Sequence, residues 1–259
     1  MGRLSGKVAV VTGIGAGIGK GIALLFLQEG AAVFGCDINV DAAQGTLAEA
    51  VALGRAENFA SLHPCDLTRP ADVDALIAAA VARFGRIDIL VNAAAIAPHM
   101  ATAAAMDFET QWRPTLAGEV DLVFLACKAA WPHLVASGSG SIINFASVNA
   151  YRGSRTFGMV AHCAGKAAVL GMTRQLAVEG GVANIRANTI SPGLVQTAAT
   201  LKAGATEDGS VRNAILDRLL IKRLGRPEDI AWCAVYLASD EASWVTGVDF
   251  PINGGVLAA

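Results

Sequence analysis

A glycine-rich segment near the start of the chain has the composition and spacing of a phosphate-binding loop. The apolar run 8–11 leads into residues 12–19 (TGIGAGIG), and a segment with helical periodicity follows directly. Glycines between a strand and a helix let the backbone come close to a pyrophosphate, and the first N–H groups of the helix point toward it. The segment therefore predicts a dinucleotide site. Its expected cofactor contacts are Gly13, Gly17, Ile18 and Gly19.

Asp37 follows the loop by about 20 residues and stands at the end of the second predicted strand. A carboxylate at this position accepts hydrogen bonds from the ribose hydroxyls of NAD and would repel the 2′-phosphate of NADP. No Lys or Arg flanks Asp37 between residues 35 and 39, so nothing nearby would neutralise such a phosphate. NAD is therefore the predicted cofactor.

Short apolar runs rich in β-branched residues alternate with segments of helical periodicity along the chain. Parallel strands need crossover connections, so this alternation predicts an α/β, doubly wound Rossmann fold with a seven-stranded parallel sheet and helices on both faces. The predicted strands are 7–11, 31–36, 59–63, 88–92, 141–145, 186–190 and 248–252. The predicted helices are 17–28, 41–52, 70–84, 108–136, 159–179 and 227–238. The 259 residues show no break in composition, so one domain over 1–259 is expected.

Composition and charge argue against several other classes of protein. The net charge is -2 and no run of Lys or Arg exceeds two residues, so neither a nucleic acid nor an anionic membrane surface is an expected partner. No apolar run reaches the ~18 residues of a membrane span, and the start of the chain lacks the pattern of a signal peptide, so a cytoplasmic protein is expected. The five cysteines are widely spaced and predict neither disulfides nor a metal site.

Landmarks along nearly the whole chain resemble those of the short-chain dehydrogenase/reductase family. Residues 12–19 resemble its nucleotide motif, 65–67 its adenine-contacting segment, 91–95 its Asn-Asn-Ala-Gly motif with substitutions, and 191–197 its nicotinamide loop. Residues 224–229 and 245–247 resemble its C-terminal signatures. The resemblance implies a homo-oligomer, with a tetramer favoured, and further cofactor contacts. These contacts are Asp66, Leu67, Asn92, Ala93, Ala94, Lys166, Pro192, Gly193, Val195 and Thr197.

The resemblance also implies a catalytic relay of Ser, Tyr, Lys and Asn, from which this chain departs at two positions. Ser147 and Lys166 match the family Ser and Lys, but His162 stands at the position of the Tyr and Glu119 near that of the Asn. The spacing of four residues places His162 and Lys166 on one helix face. A free imidazole titrates near pKa ~6.5 and a phenol near ~10, so His can serve as a neutral base at pH 7. The hypothesis is that Glu119, His162 and Lys166 form a proton path and that Ser147 binds the substrate oxygen.

These observations predict an NAD(H)-dependent oxidoreductase that interconverts an alcohol and a ketone or aldehyde. A small or medium apolar substrate is expected, with a substrate loop at about 194–212, of which 198–210 is predicted to be mobile. Tyr151, Ile96 and Leu194 are candidate substrate contacts. Two alternatives stay open. One is a lyase, dehalogenase or isomerase that uses the His/Glu base without net redox chemistry, and the other is a non-catalytic NAD-binding protein.

Overall fold

Seven parallel strands form one sheet at the centre of the molecule. The computed structural model describes residues 2–154, 157–197, 200–201 and 209–258. The strands are β1 (Val8–Thr12), β2 (Ala32–Cys36), β3 (Phe59–Leu62), β4 (Ile89–Asn92), β5 (Ser141–Phe145), β6 (Arg186–Pro192) and β7 (Asp249–Ile252). Their order is β3-β2-β1-β4-β5-β6-β7, and every neighbouring pair is parallel. This sheet confirms the predicted single-domain, Rossmann-like α/β fold.

Helices cover both faces of the sheet. They are α1 (Gly17–Gln28), α2 (Val40–Ala52), α3 (Pro70–Phe84), α4 (Phe108–Ser137), α5 (Val160–Gly180), α6 (Gly209–Arg218) and α7 (Pro227–Ala238). Val11 belongs to an apolar cluster with Phe26 of α1 and Ile230 of α7, on one face. Its neighbour Val10 belongs to a cluster with Leu76 of α3 and Ala126 of α4, on the other. Because both faces are covered, the strands read as continuous apolar runs rather than as alternating ones.

Helix α4 is long, apolar and irregular. Its 30 residues reach a mean hydropathy of 1.3 in the most apolar window, which makes it, among the described residues, the one helix long and apolar enough to cross a membrane. Its contacts are those of a core helix, because Leu122, Ala126, Ala130 and Leu134 recur every four residues and are buried in the cluster it shares with the sheet. Two stretches of α4 have π-helical hydrogen bonding, Phe108–Trp112 and Ala117–Asp121.

Helix α6 corrects the last two residues of the predicted loop 198–210. Gly209 and Ser210 already belong to α6, and Thr200 and Leu201 have helical backbone. The glycines and polar residues of this stretch suggested a break in the chain. Helix propensity is a weak guide over so short a stretch, because packing in the folded chain can override it. Residues 198–199 and 202–208, which make up most of the predicted loop, lie outside the described residues.

A chain of buried polar side chains ties α5 to the middle of the sheet. The Asn92 Nδ2 of β4 donates to the Asn144 Oδ1 of β5 at 2.8 Å. The Asn144 Nδ2 donates in turn to the Thr173 Oγ1 of α5 at 2.9 Å, and that hydroxyl donates to the Val169 carbonyl at 2.8 Å. Asn92, Asn144 and Thr173 are all at most 1% exposed. The network therefore fixes the position of the helix that carries His162 and Lys166.

We expect Thr173→Val to destabilise the protein by about 1–3 kcal/mol, because it keeps the side-chain shape but leaves the buried Asn144 amide without its acceptor. Denaturant-induced unfolding measures the change. Thr102→Val is the control, since Thr102 is exposed and its substitution should change the free energy of unfolding by no more than about 0.5 kcal/mol. Equal stability of the two variants would contradict the proposed anchoring role of the network.

Candidate active site

The turn between β1 and α1 needs glycine for steric reasons. Gly13 has φ 73°, and a Cβ there would lie 2.8 Å from the Ala94 Cα. A Cβ at Gly19 would overlap the carbonyl oxygen of Gly13. The neighbouring loop is held in place by Thr12, whose Oγ1 accepts the Ala94 N–H at 3.0 Å and donates to the Val91 carbonyl at 3.3 Å. The result is a backbone cradle of the kind that a pyrophosphate fills.

A cleft of about 360 Å³ opens above this cradle, at the carboxyl ends of the strands where ligands of open α/β sheets bind. Many of the predicted cofactor contacts line it. They are Gly13, Gly17, Ile18, Gly19, Asp37, Asp66, Leu67, Ala93, Ala94 and Thr197, with the candidate substrate contact Ile96. Sequence reasoning missed further lining residues, including Ile38, Thr68 and Leu122.

Several predicted contacts lie elsewhere. The Asn92 side chain is part of the buried network that holds α5. Gly193, Leu194 and Val195 line a second, smaller cleft of about 180 Å³, formed with residues 219–230 and 252–254. Pro192 is the last residue of β6 and precedes that cleft. Of the predicted nicotinamide loop, Thr197 is the residue that reaches the larger cleft, where it packs beside Gly17.

Asp37 is held at the end of the cleft by the backbone. Its Oδ2 accepts the Gly15 N–H at 2.7 Å and its Oδ1 accepts the Asn39 N–H at 2.8 Å. Each carboxylate oxygen can accept two hydrogen bonds, so both oxygens keep capacity for a ligand hydroxyl. Among the described residues that line the cleft, Asp37 and Asp66 are the charged ones, and both are acidic.

His162 and Glu119 form a close contact between α5 and α4. The His162 Nδ1 lies 2.5 Å from the Glu119 Oε1, and the two side chains are 12% and 1% exposed. Glu119 belongs to the π-helical stretch Ala117–Asp121, and such stretches occur frequently at functional sites. Its second oxygen, Oε2, is buried without a hydrogen-bond partner among the described residues. A buried carboxylate that is only half satisfied costs stability, so its presence calls for a functional explanation.

Lys166 lies one helical turn after His162 and is 7% exposed. Its Nζ donates to the carbonyl of Phe145, the last residue of β5, at 3.2 Å. Burial lowers the pKa of the Lys166 ammonium, and the nearby Glu119 carboxylate opposes that shift. The three ionisable groups of the predicted proton path are therefore brought together in one buried cluster.

Ser147 follows β5 by two residues and begins a short 3-10 turn, Val148–Ala150. Its Oγ accepts the Asn149 N–H at 3.1 Å. A hydroxyl that accepts one hydrogen bond still has its own proton to donate, so Ser147 can bind a substrate oxygen while it caps the turn.

Tyr151 comes directly after this turn and contacts strand β7. Its hydroxyl donates to the Asp249 Oδ2 of β7 at 2.8 Å, while the Asp249 Oδ1 accepts from Thr189 and Ser191. The pKa of Tyr151 is raised to about 12. The main cause is burial of the phenol, and the second is its hydrogen bond to Asp249. The structure thus joins Tyr151 to the β6–β7 edge and not to the cluster of His162, Glu119 and Lys166.

Comparison with known proteins identifies the family of this chain. The family model described as "Enoyl-(Acyl carrier protein) reductase" matches residues 13–257. A D-threitol dehydrogenase of Mycolicibacterium smegmatis is 39% identical to this chain. The alignment covers 98% of this chain and 94% of the relative. A 2,5-dichloro-2,5-cyclohexadiene-1,4-diol dehydrogenase of Sphingobium indicum is 40% identical, with coverage of 98% and 97%.

Solved structures agree with the sequence relatives. A short-chain type dehydrogenase/reductase from Mycobacterium marinum superposes with a TM-score of 0.90 at 31% identity, over 99% of this chain and 97% of that one. The expected family is therefore confirmed by both sequence and fold, and the related dehydrogenases support an oxidoreductase activity. The chain belongs to the short-chain dehydrogenase/reductase family.

Proposed function

We propose that this protein is an NAD(H)-dependent dehydrogenase that interconverts a small or medium, largely apolar alcohol and its ketone or aldehyde, with His162 as the general acid/base. The observation that carries the proposal is the contact between the His162 Nδ1 and the Glu119 Oε1 at 2.5 Å. The names of the two relatives, which denote enzymes of D-threitol and of a cyclohexadiene diol, support a small alcohol as the substrate class.

The Glu119 contact decides which imidazole nitrogen acts. An ionised Glu119 accepts the proton on Nδ1, which leaves the lone pair of Nε2 to take a proton from a substrate hydroxyl. The same carboxylate stabilises the imidazolium that forms. Ser147 donates its hydroxyl proton to the substrate oxygen and so holds the hydroxyl against His162. The Lys166 ammonium, fixed on the Phe145 carbonyl, adds positive charge close to the developing alkoxide.

The glycine cradle and Asp37 fit a dinucleotide. Bound NAD would accept the hydride from the carbinol carbon. Asp37 would receive the two ribose hydroxyls on the oxygens that already accept the Gly15 and Asn39 N–H groups. The acidic lining of the cleft favours NAD over NADP, because a 2′-phosphate would face a carboxylate with no described basic side chain to balance it.

We also propose that the protein works in the cytoplasm as a homo-oligomer, with a tetramer favoured. All five cysteines are unpaired thiols, as is usual in a reducing compartment. Large apolar side chains are exposed on the single chain, among them Trp244 at 98%, Val182 at 97% and Phe124 at 52%. We propose that side chains such as these contribute to the apolar patches through which the subunits meet.

The proton relay predicts that His162→Ala lowers kcat/KM by about 10²–10⁴-fold, the usual contribution of a general base. Glu119→Gln keeps the side-chain shape but no longer stabilises the imidazolium, and we expect a loss of at least about tenfold. NADH formation at 340 nm over a panel of secondary alcohols and small diols measures both. His133→Ala, on α4, is the matched control. Full activity of His162→Ala would contradict the relay, and no turnover by a wild type that binds NAD would favour the non-redox or non-catalytic alternatives.

The pH profile separates an imidazole from a phenol at position 162. Oxidation of an alcohol needs the deprotonated base, so its rate rises with pH as that base loses its proton. A phenol has a reference pKa of ~10 and an imidazole one of ~6.5, so the rise for His162→Tyr should occur at higher pH than that for the wild type. Profiles of kcat/KM that coincide would show that another group limits the reaction.

The proposed role of Asp37 predicts that Asp37→Ala changes the cofactor preference. We expect the ratio of kcat/KM for NAD to that for NADP to fall by about 10–100-fold. The variant loses a charge-assisted hydrogen bond to the ribose of NAD, and it no longer repels the 2′-phosphate of NADP. Steady-state rates with each cofactor measure the ratio. Asp41→Ala is the control, because Asp41 is an exposed acid in the first turn of α2. An unchanged ratio in Asp37→Ala would rule out ribose recognition by Asp37.

A further inference from the structure

The carboxylate of Glu119 lies against the backbone of a glycine in α5. A Cβ at Gly165 would lie 2.6 Å from the Glu119 Oε2 and 3.4 Å from the Glu119 Cβ. Real Cβ atoms essentially never approach another atom as closely as the first of these distances, so a larger residue at 165 would force the carboxylate to move. Glu119 is 1% exposed, and the surrounding packing gives its side chain little room to move without repacking.

The backbone gives no other reason for this glycine. Gly165 lies inside α5 and is absent from the glycines with positive φ, so alanine could adopt its conformation. Glycine within a helix is less favourable than alanine, because it loses more backbone freedom on folding. The space occupied by the Glu119 oxygen therefore accounts for Gly165, which stands three residues after His162 on the same helix face.

From this contact we infer that Gly165 is a positioning residue for the Glu119–His162 pair. The inference rests on the proposed function and deepens it. Glu119 has one described polar partner, the His162 Nδ1, and its other oxygen is held by steric contact alone. Any side chain at 165 pushes that oxygen away from α5 and breaks the alignment of the first oxygen with the imidazole. The His162–Glu119 relay and the glycine at 165 thus form one unit, in which a side chain at 165 disturbs the contact between the other two residues.

Gly165→Ala tests the unit, and Gly171→Ala is its matched control. Gly171 lies in the same helix, and a Cβ there would meet nothing within 4 Å. We expect Gly165→Ala to lower kcat by about 10²-fold, as a displacement of about 1 Å in a catalytic geometry can do. Gly171→Ala should keep wild-type kcat.

A readout independent of turnover is the imidazole N–H proton of His162 in ¹H–¹⁵N spectra of histidine-labelled protein. A short hydrogen bond to a carboxylate shifts this proton strongly downfield, and its absence from His162→Ala assigns it. We expect the resonance in the wild type and in Gly171→Ala, and its loss in Gly165→Ala. If it is absent from the wild type, or persists in Gly165→Ala, the inference is overturned. This result stands whether or not any alcohol is turned over, so it separates a failure of the inference from a failure of the proposed function.

The Glu119→Ala background separates positioning from a general packing defect. Without the carboxylate, a Cβ at 165 has no oxygen to displace, so adding Gly165→Ala to Glu119→Ala should lower kcat and the melting temperature little further. Equal losses in both backgrounds would overturn the inference. If Gly165→Ala alone fails to fold, folding of the double variant supports the steric conflict with Glu119, and failure of both variants to fold refutes it.

Discussion

The site depends on one hydrogen bond between a buried carboxylate and an imidazole. Transferring an isolated carboxylate out of water is so unfavourable that a protein either pairs the group or loses its charge. Glu119 has a single described polar partner, His162, and one of its oxygens has none. Apolar side chains at both 119 and 162 would leave neither partner of this pair unsatisfied, and such replacements of a buried ion pair are often neutral or stabilising. The arrangement is therefore better explained by chemistry than by stability, and the π-helical stretch of α4 and Gly165 of α5 provide the space for it.

Helix α5 positions the residues that take part in this contact. It carries His162, Gly165 and Lys166 within five residues, so the base, the space for its carboxylate and the buried ammonium share one rigid body. Two contacts orient the helix against the sheet. One is the hydrogen bond that Thr173 accepts from Asn144 of β5, and the other is the bond that Lys166 donates to the carbonyl of Phe145 at the end of that strand. Since Ser147 follows the same strand, the hydroxyl and the imidazole are held by a common support.

Much of this could be predicted from the sequence, because it depends on local spacing. The glycine loop, Asp37 and the four-residue spacing of His162 and Lys166 are patterns within single elements, and so are the strands of the sheet. What escaped prediction depends on contacts between elements. The sequence marks Gly165 as a glycine in a helix, but the oxygen that needs its space comes from another helix, forty-six residues earlier. Asn92 and Leu194 were predicted as ligand contacts from their positions in family motifs. The burial of the Asn92 side chain and the position of Leu194 in a second cleft follow instead from packing between elements.

The fold also explains how the proton carrier could differ from the family pattern without disturbing the cofactor site. The cradle and Asp37 are built from β1, β2, α1 and the residues just after β4. Their supporting bonds join the Ala94 N–H to Thr12 and the Gly15 N–H to Asp37. The ionisable cluster is built from α4, α5 and the end of β5. The two halves meet where Ile96 packs against Gly118, whose carbonyl accepts the Ile96 N–H at 3.2 Å. Because Glu119 and His162 hydrogen-bond to each other and not to the cradle, substitutions at 119 and 162 need mainly to fit one another and the substrate. A phenol reaches farther from its helix than an imidazole does, so a substrate served by His162 must bring its oxygen closer to α5.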